Sequence, residues 1–214
     1  MTKINDIYSK MMKTIIVITL YFIWPSVIKF INNIVNINPN EIVTFACNII
    51  LLVIIVLIYL KDIISSLNNI SIKKLICLFL SLIGVQILTN LISIAIIGVD
   101  NRYTYGGLLP AYLEKWPVLM GISVAIIYPI LETLVFNTSL KDIINSKWTF
   151  IICSSLFFWL VNILAVNVNS LSIIATMSCF TTSIVINYFY YKEDNTSSII
   201  IVKMIYNLIF LLLP

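Results

Sequence analysis

Histidine is absent from this 214-residue chain. Without an imidazole there is no Ser-His-Asp triad and no histidine ligand for a metal. The four cysteines, Cys47, Cys77, Cys153 and Cys179, stand singly inside apolar runs with no CxxC spacing. Zinc sites draw mostly on those two residue types, so a zinc site is all but excluded, and no cofactor is expected. The cysteines read as packing or lipid-facing side chains, and no secretory disulfide framework is visible. Charge is scarce as well. Only 10% of the residues are charged, against about 25% in a soluble domain. The net charge of +4 is small and scattered, which argues against a nucleic-acid partner.

Apolar residues fill the space that charge leaves. They make up 61% of the chain, in runs long enough to cross a bilayer at about 20 residues each. The fold expected is all-α: a polytopic transmembrane helical bundle of about seven spans, near 14–33, 42–60, 72–97, 117–138, 148–166, 170–191 and 197–213. Lys3, Lys10 and Lys13 precede the first apolar run as they would in a signal peptide. No A-x-A-like cleavage site follows, so the run reads as an uncleaved first span. One integral membrane domain is expected over 1–214, with no internal repeat or low-complexity linker.

The lysines suggest an orientation. With the N-terminus in the cytoplasm, Lys3, Lys10, Lys13, Lys61, Lys73, Lys74, Lys141, Lys147 and Lys192 all fall inside, in part on loops at 61–74 and 141–147. Only Arg102 and Lys115 fall outside, with Lys29 near a span end. That asymmetry follows the positive-inside rule, and it places Pro214 outside. The outer loop 98–116 carries Tyr103, Tyr105, Tyr112 and Trp116, rings suited to the membrane–water interface. Gly106-Gly107 and Pro110 interrupt any helix there. It reads as an interfacial connector or as a partner-facing or gating loop.

Ionisable groups within hydrocarbon are expensive and mark candidate sites. Glu132 and Lys203 are the two that sit deep in a span, and Asn162, Asn207 and the pair Thr89-Asn90 are intramembrane polar groups. Glu132 lies about 22 Å into a fourth span running inward, and Lys203 about 9–10 Å into a seventh span running outward. Their depths nearly match, which predicts an intramembrane ion pair. The alternative is that Lys203 snorkels to the inner interface along its own stem. Span serines and threonines, among them Ser154, Ser155, Ser172, Thr176, Ser178, Thr181 and Thr182, suit close helix packing and hydrogen bonds between helices. A serine–lysine dyad using Lys203 has no sequence signal to pick its serine.

The stretch Y-P-I-L-E-T-L-V-F-N-T-S-L around Glu132 resembles the first motif of the CPBP family, the CAAX-protease and bacteriocin-processing membrane proteins. That motif has a proline, two adjacent glutamates and an arginine. Pro129, Glu132 and Phe136 match, whereas Thr133 replaces the second glutamate and Asn137 the arginine. The second motif, a phenylalanine with a histidine four later, reads here as Phe158 to Asn162. The third, a histidine with an asparagine or aspartate four later, reads as Lys203 to Asn207. The motifs fall in three late spans in the family's order, Ser155 also fits, and the resemblance covers about 115–214. Residues 1–100 match only as generic spans.

The resemblance implies peptide hydrolysis in active members. The glutamate and a histidine activate water, and a histidine and an asparagine stabilise the oxyanion. In this chain Asn162 cannot shuttle a proton, and an ion pair with Lys203 would weaken Glu132 as a base. Losing an acid–base partner typically lowers the rate by ~10²–10⁴. A non-catalytic member is therefore expected, holding a polar cavity between the fourth, fifth and seventh spans for a membrane protein or small peptide. The resemblance implies bacteriocin or peptide immunity, maturation or export, or control of a membrane sensor. The Ile-, Asn- and Lys-rich usage suggests an AT-rich bacterial genome, and a bacterial plasma membrane is the location expected. One alternative is an active endopeptidase with Glu132 as base and Lys203 and Asn207 as electrophilic groups. Another is a permease-like subunit of a peptide-export complex, which would need a separate motor because no ATP-binding loop is present.

Overall fold

The computed structural model describes residues 2–35, 40–98, 116–164 and 170–212. The outer loop expected at 98–116 lies outside the described residues apart from its two ends, and so does Pro214. Among the described residues the chain forms eight helices and no strand. These are α1 (Thr2–Val35), α2 (Asn40–Ile58), α3 (Leu60–Leu67), α4 (Ile72–Ile97), α5 (Pro117–Ile143), α6 (Lys147–Leu164), α7 (Ser170–Glu193) and α8 (Thr196–Leu212). A helix satisfies its backbone polar groups internally, which hydrocarbon demands.

Six of the helices are long and apolar enough to cross a membrane. The seventh expected span, α8, is a 17-residue apolar helix. It is about 25 Å long, near the lower limit for crossing a hydrocarbon core of ~30 Å. One expectation needs correction. The charges after α2 predict a loop, yet residues 60–67 form the short helix α3. Lys61 and Asp62 share that helix with Ile63, Ile64 and Leu67, so it is amphipathic.

Polarity is arranged as a bilayer requires. Ile50, Leu57, Leu80, Leu91 and Ile96 are exposed on the outside of the bundle, whereas Thr133, Ser139, Ser154, Ser155 and Asn187 are buried. The cysteines follow their expected roles: all four are free, Cys47 is buried, and Cys77 and Cys153 are exposed on apolar helices.

Two apolar clusters meet at α5. One joins Val17 of α1 and Leu51 and Ile55 of α2 to Ile127, Leu131 and Leu134. The other joins Leu78 and Leu82 of α4, Phe150 of α6, Ile186 of α7 and Val202 of α8 to Leu140. α5 is accordingly the most buried span, at 44%, against 11% for α1. The Thr14 hydroxyl of α1 donates to the Ser139 carbonyl at 2.8 Å, fastening the outer helix to the central one.

α5 is wound unevenly. The backbone widens to i→i+5 turns over Ser123–Ile127 and again over Thr133–Thr138. Such wide turns are rare and recur at functional sites. Glu132 is the last residue before the second one.

Candidate functional site

Glu132 lies on the central helix and Lys203 on α8, and the structure brings them together. Lys203 Nζ stands 3.3 Å from Glu132 Oε2. The Lys203 side chain is 9% exposed and that of Glu132 is 23% exposed. Lys203 therefore does not snorkel to an interface. Its stem is buried and its ammonium faces a carboxylate, as the matched depths predicted. The ammonium also sits 5.2 Å from the centre of the Phe158 ring on α6, in cation–π range. α5, α6 and α8 thus each give one motif residue to a single centre.

The neighbouring motif positions go elsewhere. Asn162 donates its amide to the Phe158 carbonyl of its own helix at 2.8 Å. The Thr133 hydroxyl likewise turns back, to Pro129 O at 2.7 Å. Neither hydrogen-bonds Glu132. Among the described residues the carboxylate has one hydrogen-bonding partner, Lys203.

Asn207, one turn beyond Lys203, donates to the Val124 carbonyl of α5 at 2.9 Å. The contact has a local cause. In the first wide turn the Tyr128 N–H reaches Ser123 O. The next bond in that register would run from residue 129 to Val124 O, and proline has no N–H to make it. The Asn207 amide supplies the missing donor. Pro129 and Asn207, far apart in sequence, are halves of one hydrogen-bonding arrangement.

Asn137 belongs to a second polar centre. Its amide donates to Asn187 Oδ1 on α7 at 2.6 Å. The Asn187 amide donates to Ser155 Oγ at 2.9 Å and to Ser183 Oγ at 3.2 Å. The Ser154 hydroxyl lies within hydrogen-bonding reach of both Asn187 Oδ1, at 2.9 Å, and the Phe136 carbonyl. Asn187, Ser154 and Ser155 have no exposed surface. Sequence reasoning missed Asn187, although a lone amide in the run S-I-V-I-N-Y-F carries the same signal that singled out Asn162 and Asn207. Phe136 links the two centres: its carbonyl faces Ser154 and its ring packs edge-on to Phe158 at 5.4 Å.

The span hydroxyls tie helices together elsewhere too. Thr89 and Thr181 join α4 to α7 at 2.9 Å, and the Trp159 indole donates to Thr176 at 3.2 Å. The polar cavity expected between α5, α6 and α8 is occupied by the Glu132–Lys203 pair and Phe158, and neither described cavity is lined by these three residues. A cavity of about 510 Å³ opens instead between α3, α4, α5 and the α7–α8 turn, with Asp62, Lys74, Asp142 and Glu193 on its wall. Lys74 pairs there with Glu193, and Lys141 pairs with Asp194 at 2.6 Å. Among the described residues no group of three or more Cys, Asp and Glu side chains is placed to hold a metal ion.

Apolar outer surfaces, six spans and a buried acid–base pair define a multi-pass helical membrane protein with an intramembrane polar centre. In its C-terminal half, residues 114–209 match the model of the family described as type II CAAX prenyl endopeptidase Rce1-like. This is the CAAX-protease family that the three motifs resemble. Comparison with curated proteins and with solved structures gave no match.

Proposed function

We propose that this chain is a catalytically degenerate member of the CAAX-protease family that acts as a binding or scaffold subunit in a bacterial plasma membrane. One observation carries the reading. The family's glutamate is engaged by an ammonium, and the asparagine at the position of the family's histidine is turned onto its own helix. Water activation needs a group that accepts and releases a proton beside the attacking oxygen. Among the described residues Glu132 has no such partner, and its charge is already compensated by Lys203. The lysine pattern supports an N-terminus in the cytoplasm. A single membrane domain then presents its polar centre to a membrane protein or small peptide, in peptide immunity, maturation or export, or in control of a sensor.

A rewired endopeptidase is the second reading, favoured by Asn207, which keeps a side-chain amide one turn from Lys203. Affinity purification of tagged protein from native membranes in mild detergent separates the two. A stoichiometric membrane protein or peptide partner that is retained by Glu132→Gln is the expected result. A partner recovered in cleaved form from wild type and intact from Glu132→Gln would establish the enzyme instead.

A further inference from the structure

The first half of α2 carries Glu41, Thr44 and Asn48 in an otherwise apolar span. Steps of three and four residues put them on one helical face. Glu41 lies in the first turn, where a negative charge is favoured by the helix dipole. Asn48 has no such reason to be there. It lies about 10 Å further along the helix, and it makes no hydrogen bond to a described residue. An amide left unsatisfied in hydrocarbon is strongly unfavourable, so this position calls for a ligand.

The same face borders a cleft of about 410 Å³ between α2 and α5. Trp116, Ser123 and Tyr128 line its other side. The Trp116 indole N–H is buried without a hydrogen-bond partner. The Ser123 hydroxyl donates to Leu119 O at 2.8 Å, which leaves its oxygen free to accept. The cleft therefore offers a carboxylate near the first turns of both helices, an unused amide and aromatic walls. Its volume lies within the ~300–1,000 Å³ of small-ligand pockets.

We propose that this cleft binds a peptide segment, with an amino group at Glu41 and a main-chain amide against Asn48. A peptide unit presents a donor and an acceptor together, which matches the acceptor oxygen and N–H donors of the Asn48 side chain. A lipid acyl chain offers neither. A phospholipid headgroup would bring its phosphate beside Glu41, and no cation among the described residues lines the cleft to balance it. The cleft does not include Glu132 or Lys203, so this proposal and the reading of the ion pair stand or fall separately.

The test uses the full chain in phosphatidylcholine nanodiscs, titrated calorimetrically with one hydrophobic tetrapeptide amide in free-amine and N-acetylated forms. The free amine should bind at least tenfold more tightly. Glu41→Gln, which is nearly isosteric, should erase that difference. Asn48→Leu should weaken both forms at least tenfold, with size-exclusion profiles confirming a folded protein. Absence of binding, equal affinity for the two forms in wild type, or an unchanged preference in Glu41→Gln would overturn the proposal. So would loss of peptide binding when phosphatidylethanolamine replaces phosphatidylcholine, because the headgroup would then be the occupant.

Discussion

Two polar centres lie about 7 Å apart along α5, and they are built on opposite plans. The Asn137–Asn187 centre is neutral, fully buried and cross-connected through three helices. The Glu132–Lys203 centre is charged, joined by one contact, and its Glu132 side chain is still 23% exposed. Neutral hydrogen bonds between membrane helices stabilise by ~1–2 kcal/mol at most, and they work as fasteners. A charge pair in hydrocarbon gains little net stability over an apolar pair, so its presence needs another reason. The comparison separates structure from site: the amide network holds α5, α6 and α7 in place, and the ion pair is what the fold holds.

The largest expected effect comes from leaving one charge without its partner. Lys203→Met should lower stability by ~3 kcal/mol, because an uncompensated buried carboxylate remains. Glu132→Gln/Lys203→Met should recover to within ~1 kcal/mol of wild type, since replacing both charges removes the desolvation penalty. Thermal unfolding in nanodiscs reads these values together with that of Glu132→Gln alone, and a double-variant loss equal to the sum of the two single losses would show that the two groups do not interact.

A smaller loss is expected at the amide network. Asn187→Leu should cost ~2 kcal/mol by leaving buried hydroxyls and Asn137 unpaired. Partner recovery by the protein that still folds should be unchanged. If partner binding fell while stability held, the roles of the two centres would be reversed.

The Pro129–Asn207 link should give ~1 kcal/mol. Asn207→Leu should lose it in the wild-type background and lose less when Pro129→Ala restores a backbone N–H. A double-mutant cycle of unfolding measurements reports the difference. At the edge of the bundle, Lys74→Ala should change stability by less than ~1 kcal/mol, because Lys74 is 58% exposed in its pair with Glu193.

The legible parts of this protein are those set by axial distance. Residue count and a fixed rise per residue gave the depths of Glu132 and Lys203, and opposed span directions made them meet. Rotation about a helix axis is harder to read in a span that is apolar nearly all round. That is why the destination of Asn137 was not foreseen, and why Asn162 was placed in the site although it turns to its own backbone. The wide turns of α5 carry no composition signal beyond Pro129. α3 was concealed by Lys61 and Asp62, whose charges suggest a loop until their helical spacing from Ile63, Ile64 and Leu67 is noticed.

The central claim is that Glu132 is paired with Lys203 and not used as a base. The most direct measurement is a quantitative survey of peptide termini in membranes from cells carrying wild type or Glu132→Gln at equal abundance. The account predicts indistinguishable sets of termini. A defined group of cleavage products present in wild type and lost in Glu132→Gln would contradict it and make this chain a working protease.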